Sequence, residues 1–299
     1  MAVDGITKTD AEALFDEALA SELITALPSQ SSALQSLTVV PMGTRTTRIP
    51  VLSALPTAAF LAADQDPKPL SEAAWTNKTL TAEEIAVIVP ISESVLEDAS
   101  IDVVSRTTSL IVQEFGRVLD AAVFFGTGAP STFPVGGIFG AVPAGNKVTA
   151  TGNIAPDLNA MFGHVEATGL DVTDVYATRA MKADLRGITS AVGTPIYVPS
   201  EGAANTGSIY GVPTRYPLGW DSASAVAMAI NDGNAIIGLR SDVKTKILME
   251  SSLTGFGNLA EKDSIAIRAV MRVAFQIANP VSIDNPTGAN PFAAIVPAP

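Results

Sequence analysis

The feature that most constrains the fold is a long apolar stripe between residues 101 and 125. At ~1.5 Å per residue, a helix over this stretch is roughly 35–40 Å long. Gly126 and Gly128 follow it and are predicted to end it. The stripe recurs at spacings of 4, 3, 4, 3, 4 and 3 residues, which places its members on one helix face: Val104, Thr108, Ile111, Phe115, Val118, Ala122 and Phe125.

A second strong pattern lies near the C-terminus, where residues 265–277 alternate with a period of two. The odd positions are apolar, and Ser264, Arg268, Arg272 and Gln276 face the other way, as in a strand with one buried face. Residues 194–220 are rich in turns. Because helices and strands are mixed, we expect an α+β fold. The remaining elements are short: strands over 171–177, 223–230 and 235–249, and helices over 157–168 and 179–188.

An extended hairpin arm is predicted between residues 37 and 91. Residues 37–52 and 75–91 both read as extended runs, and the second alternates between apolar and other residues. The stretch between them, from Pro56 to Pro69, carries three prolines and a small cluster of charges. A hairpin with little apolar content near its tip is marginal on its own. We therefore expect the arm to lie on a neighbour.

Charge is sparse in this chain of 299 residues. Charged residues make up 16% and apolar residues 47%, whereas an average globular chain has roughly 25% charged residues. No stretch reaches the ~18 apolar residues that a spanning helix needs, and the N-terminus lacks the features of a signal peptide. We expect the apolar surplus to be buried in a core and in large contacts between copies. The net charge of −12 argues against attraction to DNA or to an anionic membrane.

The two ends of the chain differ in their patterns. Residues 9–27 are predicted to form an amphipathic helix, with Thr9 and Glu12 as a capping box and Pro28 as its end. The C-terminal residues 285–299 contain four prolines and are predicted to be irregular.

Few residues could carry chemistry. The absence of cysteine excludes a thiol nucleophile, a disulfide framework and cysteine-based metal sites. The single histidine, His164, is interpreted as a packed or surface residue of a helix. The glycines after residue 125 follow a helix, whereas a phosphate-binding loop precedes one, so they are interpreted as a helix end. Acidic pairs such as Glu83–Glu84 are interpreted as solvated faces. No catalytic, cofactor-binding or metal-ligating residue is predicted.

One segment carries a resemblance to a known family. The run from Ile91 to Ile138 reads ISESVLEDASIDVVSRTTSLIVQEFGRVLDAAVFFGTGAPSTFPVGGI and resembles the spine-helix segment of tailed-phage major capsid proteins, which have the Hong Kong 97 capsid fold. The C-terminal run from Ile236 to Pro280 also resembles that family. The order of elements matches over nearly the whole chain, although the individual motifs are loose.

The resemblance implies a Hong Kong 97-like architecture for the chain. It has an N-terminal arm, an extended hairpin arm, a long spine helix, a peripheral domain and a central axial domain. The boundaries expected from it are as follows: N-terminal arm 1–35; hairpin arm 45–81; peripheral domain with the spine helix 36–44, 82–150 and 236–284; axial domain 151–235; and Pro-rich tail 285–299.

The resemblance also implies a function. The chain is expected to form hexamers and pentamers of an icosahedral phage head, to enclose double-stranded DNA without sequence-specific binding, and to reside in the virion after assembly in the bacterial cytoplasm. Separate scaffolding, portal and cement or decoration proteins are candidate partners. From the residues alone, Arg45 and Arg48 fit intersubunit ion pairs as well as nucleic-acid contacts. The candidate contacts between subunits are Arg45, Arg48, Lys68, Trp75 and Lys78.

Two departures from the family and two alternatives remain. The chain reaches the arm at once, so no N-terminal scaffolding segment is expected. Lys68 and Lys78 lie in the arm, but the partner Asn and Glu of the family's covalent crosslink are not matched, so crosslinking is not expected.

The first alternative is an encapsulin-type compartment of the same fold that packages enzyme cargo. The second is an unrelated enzyme that uses an acidic pair.

Overall fold

The structure is a computed structural model that describes residues 30–60, 68, 70–98, 103–189, 195–199, 206–240, 244–249, 251–278, 280–286 and 288–298. The predicted helix over residues 9–27 lies outside these ranges. Within them, no helix is both long enough and apolar enough to cross a membrane.

Helices are few and strands are many in the described chain. The helices are α1 (Ser32–Ser36), α2 (Glu93–Asp98), α3 (Val103–Phe125), α4 (Gly137–Ala141), α5 (Ile154–Glu166) and α6 (Met181–Arg186). The strands are β1 (Thr38–Met42), β2 (Thr46–Ala54), β3 (Ala74–Thr81), β4 (Glu83–Ser92), β5 (Lys147–Thr149), β6 (Asp174–Ala177), β7 (Tyr197–Pro199), β8 (Thr206–Ile209), β9 (Val212–Arg215), β10 (Ala227–Ile230), β11 (Ala235–Arg240), β12 (Lys244–Leu248), β13 (Ser252–Leu253), β14 (Gly257–Asn258), β15 (Ser264–Ile277) and β16 (Phe292–Val296).

The first sheet has five strands and is organised by β15. In order it contains β1, β11, β15 and β12, while β4 pairs with the other side of β15. The odd-numbered residues of β15 share a hydrophobic core with α3, including Phe115 and Leu119 of the helix and Met271 and Phe275 of the strand. The predicted long helix and the predicted long strand are both confirmed, because each buries the face that its periodicity marks.

The second sheet has seven strands in the order β5, β16, β10, β6, β9, β8 and β7. It has a hydrophobic core of its own, to which α5 contributes Leu158 and Met161 and α6 contributes Leu185. Its strands come from residues 147–296, so this sheet draws on segments outside the predicted axial range of 151–235. Residues 194–220 contain short strands among their turns.

The prediction of an irregular C-terminal tail was wrong for β16. This strand lies between β5 and β10 and pairs parallel with the first and antiparallel with the second. Its sequence FAAIV is apolar and is bounded by Pro291 and Pro297, so the prolines limit the strand without interrupting its hydrogen bonds. Four of its five residues are buried, Phe292 and Ala294 in the first core and Ala293 and Ile295 in the second.

Candidate subunit interface

The hairpin arm consists of β2 and β3, which pair antiparallel as the two extended runs predicted. The second run, residues 75–91, is in fact two strands, because after Ala82 it joins the first sheet as β4. Leu80, near the base of the hairpin, and Val51, farther out along it, are buried in one cluster with Met42 of β1, Ile236 of β11 and Ala274 of β15. Within the described part of the chain, one face of the hairpin is thus bound to the body by apolar contacts.

The outer part of the arm exposes large apolar side chains. Phe60 and Leu70, in the segment that joins β2 to β3, are fully exposed, and Trp75 is 66% exposed. The pairing of the two strands also becomes irregular between Leu52 and Ala54. Monomeric proteins rarely leave such residues together in water unless they bind something. The outer arm therefore has the character of a contact surface.

The five predicted contact residues do not form one cluster. Arg48 and Trp75 lie on the same face of the hairpin, because their cross-strand partners are Thr79 and Leu52, respectively. Lys78 is paired with Ile49 on the opposite face and is half-buried. Lys68 is exposed in the segment that joins the two strands.

Arg45 has a partner within its own chain. Its Nη2 atom lies 3.7 Å from Oε2 of Glu83. A second ion pair lies nearby, in which Arg272 Nε donates to Glu84 Oε1 at 2.8 Å. All four residues of these two pairs line a cavity of about 700 Å³. Apolar residues also line this cavity, among them Val118, Leu119 and Phe133.

A buried carboxylate holds the first described residues against the long helix. Asp120 of α3 is 1% exposed. Its Oδ1 atom accepts hydrogen bonds from Ser31 Oγ at 2.7 Å and from the backbone N–H of Ala33 at 3.1 Å, and its Oδ2 atom accepts from the N–H of Ser32 at 3.1 Å. Asp120 thereby caps the N-terminus of α1 from another element. Burial raises the pKa of Asp120 to about 6, although the three hydrogen bonds oppose the shift.

The same helix makes a close backbone contact one turn earlier. A Cβ atom added to Gly116 would lie 2.8 Å from the carbonyl oxygen of Gln30. Gly116 and Asp120 are four residues apart and therefore lie on one side of α3. Together they determine where residues 30–33 cross the long helix.

Comparison with known proteins establishes the family. A model of the family described as "Phage capsid family" matches residues 12–286. The chain belongs to the phage capsid family. A solved chain from Microbacterium phage Oxtober96 is 35% identical, with a TM-score of 0.74, and the match covers 98% of this chain and 99% of that chain. No curated protein matches.

Other solved structures extend the likeness. A chain from Mycobacterium phage Bobi is 31% identical, with a TM-score of 0.74 and coverage of 99% of both chains. The structure "Capsid of empty GTA particle computed with C5 symmetry" is 16% identical, with a TM-score of 0.64 and coverage of 90% of both chains. At that identity the likeness concerns the fold alone. The mixed helix and sheet fold of this structural capsid protein thus matches phage structures over almost all of its length.

The residues that were weighed as candidates for catalysis or ligand binding occupy the following places in this capsid protein. His164 is half-buried in α5. Glu83 and Glu84 each have an arginine partner. Gly126 has a φ of 67° and ends α3, with its own N–H bonded to the carbonyl of Ala122. The interpretation of this glycine as a helix end is therefore confirmed.

Sequence reasoning missed Asp120. It lies between the apolar residues of α3, where a helix pattern treats an aspartate as an interruption or a solvent-facing position. Its partners, residues 31–33, are 87 to 89 positions away. One signal was present: Ser31 and Ser32 are typical N-cap residues, and they precede the short apolar stretch Ala33–Leu34.

Proposed function

We propose that this capsid protein assembles into hexamers and pentamers of an icosahedral phage head that encloses double-stranded DNA. Support comes from the family and from two solved phage chains that are more than 30% identical over nearly their full lengths. A more distant structural neighbour is described as a particle capsid computed with C5 symmetry. The proposal places the chain in the virion, after assembly in the bacterial cytoplasm.

The observation that carries this proposal is the composition of the arm. Phe60, Leu70 and Trp75 are exposed, while only Val51 and Leu80 are buried within β2 and β3. One face of the hairpin therefore packs on its own chain, whereas the opposite face and the segment that joins the two strands expose large apolar side chains. A second copy that covers the outer arm would bury these side chains, as the interfaces of permanent assemblies do.

The domain roles are part of the same proposal. The first sheet and α3 would form the peripheral domain, and the second sheet with α5 and α6 would form the axial domain around the axis of each hexamer or pentamer. The hairpin arm would lie over a neighbouring subunit, and the part of the N-terminal arm before residue 30 would pack along an adjacent copy, because Ala33 and Leu34 are buried in the core of their own chain. Scaffolding, portal and cement or decoration proteins would be separate chains.

The net charge of −12 suits a container for DNA. Like charges on the protein and on the packaged phosphates would repel, so the shell would not bind its contents tightly. We propose that the enclosed DNA is held by confinement, without sequence-specific contacts.

The experiment that tests the proposal is negative-stain electron microscopy of the purified chain, combined with sedimentation, with and without co-expressed scaffolding protein. Closed shells, or rings of five and six subunits, are the expected result. A uniform monomer or dimer under both conditions would overturn it. The contents then separate phage head from compartment, since enzyme cargo in small uniform shells without DNA would support the encapsulin alternative.

The contact residues in the arm can be tested separately. Arg48 is exposed on the same face as Trp75, and we propose that it pairs with a carboxylate of a neighbour. Arg48→Glu should reduce the yield of shells at least tenfold. Arg106→Glu, which changes the charge equally on the exposed side of α3, is the control. Equal yields from the two variants would contradict this role for Arg48.

A further inference from the structure

Three hydroxyl groups buried against the second sheet have no hydrogen-bond partner in the protein. Among the described residues, four buried polar side-chain atoms lack a partner, and three of them are hydroxyl oxygens: Tyr197 Oη, Thr214 Oγ1 and Tyr216 Oη. None of these three residues is more than 3% exposed. A buried polar group without a partner is costly, so most such groups in native proteins bond to protein or to ordered water. We call these three groups the hydroxyl cluster.

The register of the strands places the hydroxyl cluster on one face of the sheet. Tyr197 of β7 is paired with Ile209 of β8, and Ile209 is paired with Val212 of β9. Because side chains alternate along a strand, Thr214 and Tyr216 are on the same face as Val212. This is a buried face, since Tyr197, Ile209 and Tyr216 all belong to the second hydrophobic core.

A glycine brings the Tyr197 hydroxyl towards Thr214. Gly207 of β8 lies directly opposite Thr214, and a Cβ atom added to Gly207 would overlap with the ring of Tyr197 and with its Oη atom. The ring therefore lies across Gly207, and its hydroxyl reaches the row of the sheet that contains Thr214. In such a row the Cβ positions of opposite residues are about 4.5–5.5 Å apart. The two hydroxyls are thus neighbours although their strands are not.

The Tyr216 hydroxyl belongs to the same group. Burial raises the pKa of Tyr216 above its ordinary value, and the neighbouring Tyr197 hydroxyl adds to the rise. The two tyrosines are therefore close enough to interact, yet neither oxygen has a partner with the geometry of a hydrogen bond. Hydroxyls that are neighbours without direct bonds are suited to a small molecule that bridges them.

Water is the molecule whose chemistry matches the hydroxyl cluster. Each hydroxyl can both donate and accept, and a buried water molecule typically makes about three hydrogen bonds to polar groups that lack protein partners. The nearby cation Lys182 does not require an anion at this place. Its Nζ atom lies 4.8 Å from the centre of the Tyr216 ring, where the face of the ring attracts the charge.

We infer that the hydroxyl cluster holds one buried water molecule, which connects β7 to β9 across β8. β7 has three residues, lies at the edge of the sheet and is paired with β8 alone among the described strands. The water gives this edge strand a second attachment. It thereby fixes the position of Val198, which is 56% exposed on the edge. The inference concerns the folded subunit and does not depend on the formation of shells.

Direct observation is the first test. In a crystal structure of the subunit, or an electron microscopy map of shells, that resolves ordered water, one peak should lie about 2.5–3.2 Å from all three oxygen atoms. Tyrosine hydroxyls that bond directly to each other, or a site with no peak, would overturn the inference. Crystals grown with bromide in place of chloride distinguish water from a halide. An anomalous peak among the three oxygens would assign the site to a halide and contradict the water.

Removal of the hydroxyls provides the second test. Tyr197→Phe, Thr214→Val and Tyr216→Phe each remove one hydroxyl with little change of shape. Each should lower the melting temperature of the unassembled subunit by about 2–4 °C, because the water loses one of its hydrogen bonds. The triple variant leaves none of the three hydroxyls behind, so it should cost less than the sum of the three separate changes. Changes that simply add would contradict a shared partner.

A matched control and a double-variant cycle sharpen the result. Tyr210→Phe removes a hydroxyl from a side chain that is 48% exposed between β8 and β9, and it should shift the melting temperature by about 1 °C or less. The decisive pair is Thr214→Val with Tyr197→Phe, whose effects should be coupled because both oxygens bind one water. If only the two tyrosine variants were coupled to each other and Thr214→Val were independent, the tyrosines would be paired directly and the bridge would be wrong.

Discussion

The strand β15 and the hairpin arm are both long pieces of β-structure, yet their surroundings are opposite. β15 has hydrogen-bonded neighbours on both sides and buries nine of its fourteen residues. The arm has two strands that pair only with each other, and Val51 and Leu80 are their only buried residues. β15 is thus enclosed within the chain, whereas the arm packs one face on its own chain and leaves the other face exposed.

The difference has a consequence for mutations. Truncating a side chain in the body should lower the stability of the unassembled subunit, because a cavity forms in close-packed surroundings. Truncating an exposed side chain of the arm should leave that stability almost unchanged and impair assembly.

The largest effect is expected for Phe275→Ala. Phe275 of β15 is buried, and its ring centroid lies 6.0 Å from that of Phe133 in an edge-on arrangement. Removing a buried phenylalanine costs about 3–5 kcal/mol. Urea unfolding of the unassembled subunit measures the change. Ile283→Ala, at a side chain that is 92% exposed, is the control and should change stability by less than about 0.5 kcal/mol. A similar change in the two variants would contradict the assignment of β15 to the core.

Asp120→Asn should alter how stability depends on pH. The pKa of Asp120 is about 6 in the folded chain against an ordinary value of 3.8. Between these values the folded state binds a proton that the unfolded state does not, so the free energy of unfolding falls as pH rises from about 4 to about 6 and is level above. Two pKa units correspond to about 3 kcal/mol.

The measurement is the difference in unfolding free energy between the unmodified subunit and Asp120→Asn at several pH values. Other titrating groups are common to both chains and cancel. The unmodified subunit should gain stability relative to the variant as the pH is lowered from 7 to 4. A difference that stays constant over this range would show that the carboxyl group is not buried in the folded chain.

Two helical glycines provide a matched pair with smaller effects. Gly116→Ala places a Cβ atom 2.8 Å from the Gln30 carbonyl, whereas nothing lies within 4 Å of a Cβ atom added to Gly163 in α5. In a helix, alanine is more favourable than glycine by about 1 kcal/mol. Gly163→Ala should therefore stabilise the subunit, and Gly116→Ala should destabilise it by about 1 kcal/mol because the contact outweighs the propensity. The same sign for both in thermal unfolding would mean that residues 30–33 do not cross α3 at this point.

The long elements of the fold could be predicted from the sequence where each buries a single face. The stripe that begins at Val104 predicted α3, and the alternation from Ile265 to Ile277 predicted β15, because one-sided burial leaves a period in the sequence. The pairing of β2 with β3 followed from two extended runs around a proline-rich segment. These patterns are local and are visible without knowledge of the fold.

Other features depend on residues that are far apart in sequence. β16 was taken for an irregular tail, since its two neighbours in the sheet, β5 and β10, are more than 60 positions away and its five residues are too few for a clear period. The position of Lys246 opposite Arg268 was not predicted either, because it arises only through the register of β12 with β15. Arg45 and Arg48 were predicted as contacts between subunits, which stays a prediction, and the partner of Arg45 in its own chain, Glu83 of β4, was not foreseen.

The smallest effect on the subunit, and the clearest test of the contrast, is expected for Trp75→Ala. Its side chain is 66% exposed, so its loss should change the unfolding free energy of the unassembled subunit by less than about 0.5 kcal/mol. If a second copy covers it, however, Trp75 has the character of an interface hot spot, and truncation of such a residue costs about 2 kcal/mol or more of binding. That cost recurs at every copy of the contact in a shell, so assembly should fall steeply although folding does not. Sedimentation of assembly reactions, beside urea unfolding of the same variant, separates the two effects. Normal assembly with lowered subunit stability would reverse the contrast and place Trp75 in the body of its own chain.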